Sequence, residues 1–531
     1  MRYLILLSFL SFPAWAQVTA ATCNPSDITT AWASVTSATT TFTIPSGTCN
    51  WTAGISLTLP SSGNLTIQGS TTITGSCSPS SATCTAADNT ILVDNYASTN
   101  PLIALTTESG CTETRVTGLT FKGGTGSVKQ TGVIEVGGNC HSFRMDHNHF
   151  LLNPSTNANI GVRYINWVYG VTDHNLCDMT TSQTSECFNV WMDAYNGTTD
   201  GHGAWSDPTN LGTAQFMYIE NNVVNSGLYA DDCDVSGREV IRYNVLNNVE
   251  TQTHPTGSSP NAYHGCRAKE TYQNQFNGNA ACNGTTGFNN CLYNGMFLSS
   301  GTGVIYSNSF PIINGSAESG YQWVFSIQSM RTTNATYPQS NPPTGWGYCG
   351  TNGPGGAGSA WDENTPATTG YACLDQPGRG QYSDSISGEF QGQGGTSPYL
   401  INNSTGTVAW PVQALEPYYE WLDSLTPVPM NPGGVFTNST TSVLTQNVDF
   451  YTNNASFTGT TGVGSGLLSA RPGTCTAGVG YWATDTTTLY TCNPGGNAWS
   501  AYYTPYTYPH PLDSSTASTP APPSHLAALG R

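Results

Sequence analysis

Six short apolar-alternating segments, each with an asparagine near its centre, constrain what this chain of 531 residues can fold into more than any other feature. They read FRMDHNHF (143–150), VTDHNLCDM (171–179), MYIENNVVNS (217–226), EVIRYNVLNN (239–248), ETYQNQFNG (270–278) and VIYSNSF (304–310). Their central residues are Asn148, Asn175, Asn222, Asn244, Asn274 and Asn308, spaced 27, 47, 22, 30 and 34 residues apart. Self-similarity at ~20–50 residues marks a solenoid or an array. The unit here is a short strand and a variable loop with no helical pattern between, which excludes helix-based repeats. Strands stacked turn on turn form a parallel β-helix in which matching side chains lie over one another. Buried asparagine suits such a column, because its amide both donates and accepts along the stack.

The chain opens with MRYLILLSFLSFPAWA, a basic Arg2, an apolar run and the small-residue end Ala14-Trp15-Ala16. Residues 1–16 therefore read as a secretory signal peptide cleaved before Gln17. The apolar run is too short to span a bilayer, and no later run of ~20 apolar residues follows. We expect a secreted, extracytoplasmic monomer with no membrane insertion. Charged residues are only 9% of the chain and the net charge is −18, which argues against nucleic acid as a partner. The 16 cysteines are an even number, as a disulfide framework in a secreted chain requires. Nearest-neighbour pairing gives 23–49, 77–84, 111–140, 177–187, 233–266, 282–291, 349–373 and 475–492; sequence alone leaves other pairings open.

The stretch from Cys23 to Ile73 reads as a cap with a short helix at 28–35, then strands TFTIP, ISLTL and NLTIQG. This entry, followed by the repeats as far as Phe310, resembles the right-handed parallel β-helix proteins of the pectin-lyase-like superfamily. The resemblance implies an all-β, right-handed solenoid of the secreted carbohydrate-active type, without matching one enzyme family in full. We expect the β-helix over 17–430 with long loop insertions, a β-rich cap or small module over 431–512, and a disordered Ser/Pro/Ala tail over 513–531. The meander expected at 472–508 closes the end of the solenoid or serves as a binding module.

Chemistry concentrates between Asp231 and Glu270. These 40 residues hold four of the chain's 14 Lys+Arg (Arg238, Arg242, Arg267, Lys269) and six of its 32 acids. Asp231, Asp232 and Asp234 can bind Ca²⁺ or split their pKa values into acid and base. His254 stands ten residues past Asn244 as Asp232 does past Asn222, which sets the two on neighbouring turns. Lys269 and Glu239 precede their asparagines by five, which predicts a cross-turn ion pair. ADDC (230–233), YHG (263–265) and RAK (267–269) look like the paired-Asp, His-Gly and Arg-x-Lys motifs of polygalacturonase-type hydrolases, although their Asn-Thr-Asp motif is absent. MDHN (145–148) is similar to the Asp-His segment of pectate lyases, whose Arg-x-Pro-x-x-Arg motif is missing. The repeated Asp-His-Asn at 146–148 and 173–175 reads as a structural ladder.

The candidate acid–base set is Asp231, Asp232, His254, His264, Arg267 and Lys269. Arg238, Arg242 and Glu270, with Trp191, Asp193, His202 and Trp205 of the aromatic insertion at 187–212, are the candidate substrate contacts, since rings flanked by polar groups suit sugars. Asp231, Asp232 and Asp234 are the candidate Ca²⁺ ligands. Two reactions fit. In β-elimination on a uronic-acid glycan, Ca²⁺ or Arg238/Arg242 neutralises the carboxylate and Lys269, Arg267 or a histidine takes the proton. In hydrolysis, two of the carboxyls act as acid and base. The sequence tilts toward the lyase; the rival outside enzymology is an adhesive, glycan-binding β-helix.

Overall fold

The computed structural model describes residues 16–81, 83–107, 111, 113–152, 160–179, 185–192, 205, 207–255, 265–278, 292–311, 321–329, 375–382, 401–402, 407–408, 413–426, 436–438 and 444–513. The expected signal peptide thus lies outside them up to residue 15, as does the tail beyond 513, together with Asp193, His202, His264 and the cysteines 282, 291, 349 and 373.

The chain is all-β, and its long sheets are parallel. Three ladders run side by side. The first takes Ile55–Thr58, Ile103–Thr107, the leading half of Ile134–Asp146 and of Ile160–Asp173, then Glu186–Trp191, Tyr229–Asp234, Glu250–Thr253, Leu292–Leu298, Tyr321–Ile327 and Phe436–Asn438. The second takes Ala16–Thr19, Thr39–Thr43, Leu65–Gln68, Thr114–Thr117, the trailing halves of the two long strands, then Met217–Glu220, Arg238–Arg242, Ala268–Tyr272, Thr302–Tyr306, Tyr418–Trp421 and Phe450–Tyr451. The third runs from Gly47–Trp51 to Ser424–Thr426. From Ile55 onward the chain visits the ladders in the order first, second, third, then begins again.

The asparagine column forms at the step from second to third ladder. Each asparagine side-chain amide donates to the Oδ1 of the next, at 3.0–3.1 Å, from Asn148 through Asn308. That same Oδ1 also accepts the backbone N–H of the asparagine below it, at 2.9–3.1 Å. The residue before each one (His147, His174, Asn221, Tyr243, Gln273, Ser307) has φ between 53° and 59°. Such a left-handed step turns the chain within two residues and aims the next side chain inward. Asp423 ends the column, accepting both Asn308 donors.

One apolar cluster fills the space between the ladders from Ala20 to Phe450. Helix Pro25–Trp32 contributes a fully buried Ile28 at its start, as an entry cap should, and has Pro in its first turn. Six of the eight expected disulfides are present: 23–49, 77–84, 111–140, 177–187, 233–266 and 475–492. The other two fall outside the described residues. Among the described residues no helix is long and apolar enough to cross a membrane.

The C-terminal strands Val463–Gly466, Gly480–Ala483, Thr488–Cys492 and Trp499–Tyr503 lie along the outward face of the second ladder. Their apolar side packs on Tyr218, Val240, Tyr272, Tyr306, Tyr419 and Trp421. Residues 504–513 then run back over the same face, where Arg242 donates to the carbonyls of Tyr506 and Thr507, and Arg144 to that of Leu512. The module therefore covers a side of the ladders. The row of Tyr and Trp that the second ladder turns outward is what it buries.

Candidate functional site

Among the described residues, a dense outward-facing polar group lies on three neighbouring strands of the first ladder, Glu186–Trp191, Tyr229–Asp234 and Glu250–Thr253. Register pairs Phe188 with Asp231, Asn189 with Asp232, Val190 with Cys233 and Trp191 with Asp234. Phe188 and Val190 belong to the core. Alternation then turns Asp231 and Cys233 inward, and Asn189, Asp232, Trp191 and Asp234 outward. Asp232 pairs next with Gln252, which leaves His254 beside Asp234. The ten-residue spacing sets His254 opposite Asp232; one of the two residues of difference is already present at the Tyr229–Glu250 pair, and the register shift between Tyr229 and Asp231 adds the other.

One oxygen each of Asp232 and Asp234 and a ring nitrogen of His254 lie within 4.8 Å of one another. His254 Nδ1 is 3.4 Å from Asp234 Oδ1 and 2.8 Å from the Pro255 carbonyl. Burial works against the charged imidazole, but Asp234 and then Asp232 hold its pKa up at about 10. Burial pushes the Asp232 carboxyl up to about 7; His254 opposes this and the charges of Asp234 and Asp231 add to it. Among the described residues, Oδ1 of Asp232 has no hydrogen-bond partner, and neither does Asn189 Oδ1 beside it. Asp232 is 6% exposed and Asn189 2%. Glu186 belongs to the same group: burial and the Asp232 charge raise its pKa well above the usual carboxyl value. Next along the row, the Arg163 guanidinium lies 3.3 Å from the centre of the Trp191 ring.

The other expected residues divide among three places. Asp231 and Lys269 are in the interior, where Lys269 Nζ contacts Asp231 Oδ2 and sits 2.6 Å from Glu239 Oε1. This is the ion pair that the five-residue offset predicts. It also turns Asp231 away from Asp232 and Asp234, which gather with His254 instead. Arg242 and Glu270 lie under the C-terminal module: Arg242 pairs with Glu220, and Glu270 accepts from Tyr503 Oη at 2.7 Å. Burial pushes Glu270 up to about 7. Arg238, Arg267 and Trp205 make a third cluster. Arg267 is held by Glu416 at 2.6 Å, Trp205 is fully buried and donates to the Gly380 carbonyl, and Arg238 donates to that of Asp207. Burial and the Arg267 charge lower Arg238 to about 10.

Of the expected residues, then, Asp232, Asp234, His254 and Trp191 share one face. Glu186, Asn189, Gln252 and Arg163 were not anticipated. A signal existed for the first two: SECFNVW (185–191) leads into the aromatic insertion and carries Cys187, which links it to the previous turn. The imidazole pair His147 and His174 stacks at 5.1 Å, each Nδ1 on its own aspartate at 2.7 Å. No protein-family model, curated protein or solved structure matches the chain.

Proposed function

We propose that the chain is a secreted polysaccharide-degrading enzyme on a right-handed parallel β-helix, and that it cuts by hydrolysis with Asp232 and Asp234 as its carboxyl pair. The cyclic order of the three ladders around one core supports a closed solenoid, and parallel crossovers are right-handed in nearly all proteins. The six disulfides fit an oxidising, extracellular setting.

The observation that carries the reading is Asp232 itself. Its carboxyl is poised near pH 7, has an unpartnered oxygen, and lies within 4.8 Å of a second carboxylate. Acid–base cleavage of a glycosidic bond needs one carboxyl kept protonated beside another kept ionised. His254 sets a positive charge 3.4 Å from the second one. The first-ladder row from Arg163 and Trp191 to Gln252 serves as the saccharide face, with Trp191 as its aromatic contact.

The lyase reading loses support because Lys269, Arg242 and Arg267 are engaged by Asp231 and Glu239, by Glu220 and by Glu416. Ca²⁺ on Asp232 and Asp234 would restore it, since a bound cation can neutralise a uronate. The test is incubation with a panel of acidic and neutral polysaccharides, with and without Ca²⁺, following reducing ends and unsaturated-uronate absorbance together. Reducing ends alone, lost in Asp232→Asn, support hydrolysis. Both signals rising would mean elimination, and silence in both across a broad panel would mean a binding protein.

A further inference from the structure

Asp231, Glu239 and Lys269 meet in the interior, between the first and second ladders and behind the outward face that carries Asp232. Their exposures are 0%, 0% and 1%. Lys269 Nζ contacts Asp231 Oδ2, lies 2.6 Å from Glu239 Oε1 and donates to the Gln252 carbonyl at 3.0 Å. The walls are apolar: Asp231 stands in register with Phe188, and Glu239 with Met217, both fully buried members of the core. Gly303 follows Lys269 in register, and a Cβ there would meet the Lys269 carbonyl oxygen at 1.9 Å. The two strands are thus packed closely at this level.

As an ionic group this arrangement is poorly satisfied. Two acids share one ammonium, and among the described residues Asp231 Oδ1 and Glu239 Oε2 have no hydrogen-bond partner. A charged, half-bonded network in an apolar interior is costlier than a neutral one. Burial, against the opposing Lys269 charge, and the Asp231 charge raise Glu239 well above the usual carboxyl range, a direction that favours its protonated form. An amine, an acid and a second, protonated acid able to carry a proton between them are the parts of an amide condensation, held in contact and away from water.

We propose that Lys269 and Asp231 form an intramolecular amide cross-link, with Glu239 as the proton carrier. The ammonium proton first passes from Lys269 Nζ to Asp231 Oδ2 within their contact; the neutral amine then attacks Asp231 Cγ and a C–N bond forms. Glu239, entering with a proton, gives it to the departing oxygen and takes one from nitrogen, so that it ends as it began. One C–O bond breaks and one water leaves, with no change of oxidation state. The product removes two charges from the interior and disposes of one of the unsatisfied oxygens. It joins strand Tyr229–Asp234 to strand Ala268–Tyr272, close to the Cys233–Cys266 bridge. This reading is independent of the outward-facing site, because neither Asp231 nor Lys269 is asked to touch a substrate.

The test is mass spectrometry of the purified, full-length secreted chain, reduced and alkylated. Peptide mapping should yield one branched species carrying Asp231 and Lys269, lighter by one water than its two linear peptides together. Glu239→Gln should return most of the chain to linear peptides, and Lys269→Arg all of it. Two linear peptides from the wild-type chain would overturn the proposal whatever the variants do, and so would a water loss that maps elsewhere. The measurement needs no enzymatic activity, so its failure and that of the hydrolase reading are distinguishable.

Discussion

Asp231 and Asp232 are adjacent in the chain and face opposite sides of one strand: Asp231 meets Lys269 in the interior, while Asp232 stands between Asn189 and Gln252 on the outward face. The strand's period of two separates their roles. One is sealed in an ionic contact, and the other is kept near neutrality with an oxygen to spare.

Asp232→Asn should lower hydrolysis by about 10²–10⁴-fold, the usual worth of a positioned acid or base. Asp231→Asn should act on folding more than on the rate per folded molecule. Steady-state kinetics on variants matched for circular dichroism would separate the two.

The pH dependence follows from the same group. Asp232 is raised from 3.8 to about 7 in the folded chain, so the fold binds more protons than the unfolded chain between those values. Its contribution to stability is therefore present below pH 3.8 and lost as pH rises through about 7. Acid-assisted turnover should fall over the upper part of that range. Asp232→Asn should melt higher than the wild type at pH 8 and show a flatter slope of melting temperature against pH.

His149 supplies a second, separate pH signal. It lies between Asp88 at 2.8 Å and Asp178 at 3.0 Å. Burial lowers its pKa, but the bonds to Asp178 and Asp88 outweigh this and raise it above 6.5. The stabilisation is fully present below pH 6.5 and is lost as pH rises through the higher folded value. His149→Gln should cost stability at pH 6 and little at pH 9 in paired denaturant titrations.

In the asparagine column, Asn244→Ala removes the acceptor of two Asn222 donors at 2.9 and 3.1 Å. It also deprives the carbonyls of Ile219 and Arg242 of their side-chain donor. With several buried groups left unsatisfied, a loss of about 3–5 kcal/mol is expected. Asp423→Asn should be nearly silent, because the end of the column only has to accept. Urea unfolding would show the contrast.

Arg242→Met leaves Glu220 buried with an uncompensated charge and should cost about 3–5 kcal/mol. It also removes the donors to Tyr506 and Thr507. Limited proteolysis should then cut within 504–513 sooner than in the wild-type chain.

The stacked asparagines, the entry helix and the disulfide pairs were legible because each depends on local or evenly repeated information. A two-residue turn writes the same short pattern at every level, and neighbouring levels bring neighbouring cysteines together. The Lys269–Glu239 pair was legible for the same reason, since both residues count from the same asparagine. What the pattern could not supply was the side each charge faces and what covers it. Arg242 and Glu270 read as exposed cations and acids until the C-terminal module, more than 200 residues on, is laid over them. Glu186 and Arg163 join Asp232 only through the parallel ladder, across gaps set by loop lengths that no repeat controls. The sequence by itself determined the stacking, because stacking is written in periodicity. The tertiary structure decided which carboxyl is buried, paired or poised, because a pKa depends on every neighbour within a few ångströms, whatever its place in the chain.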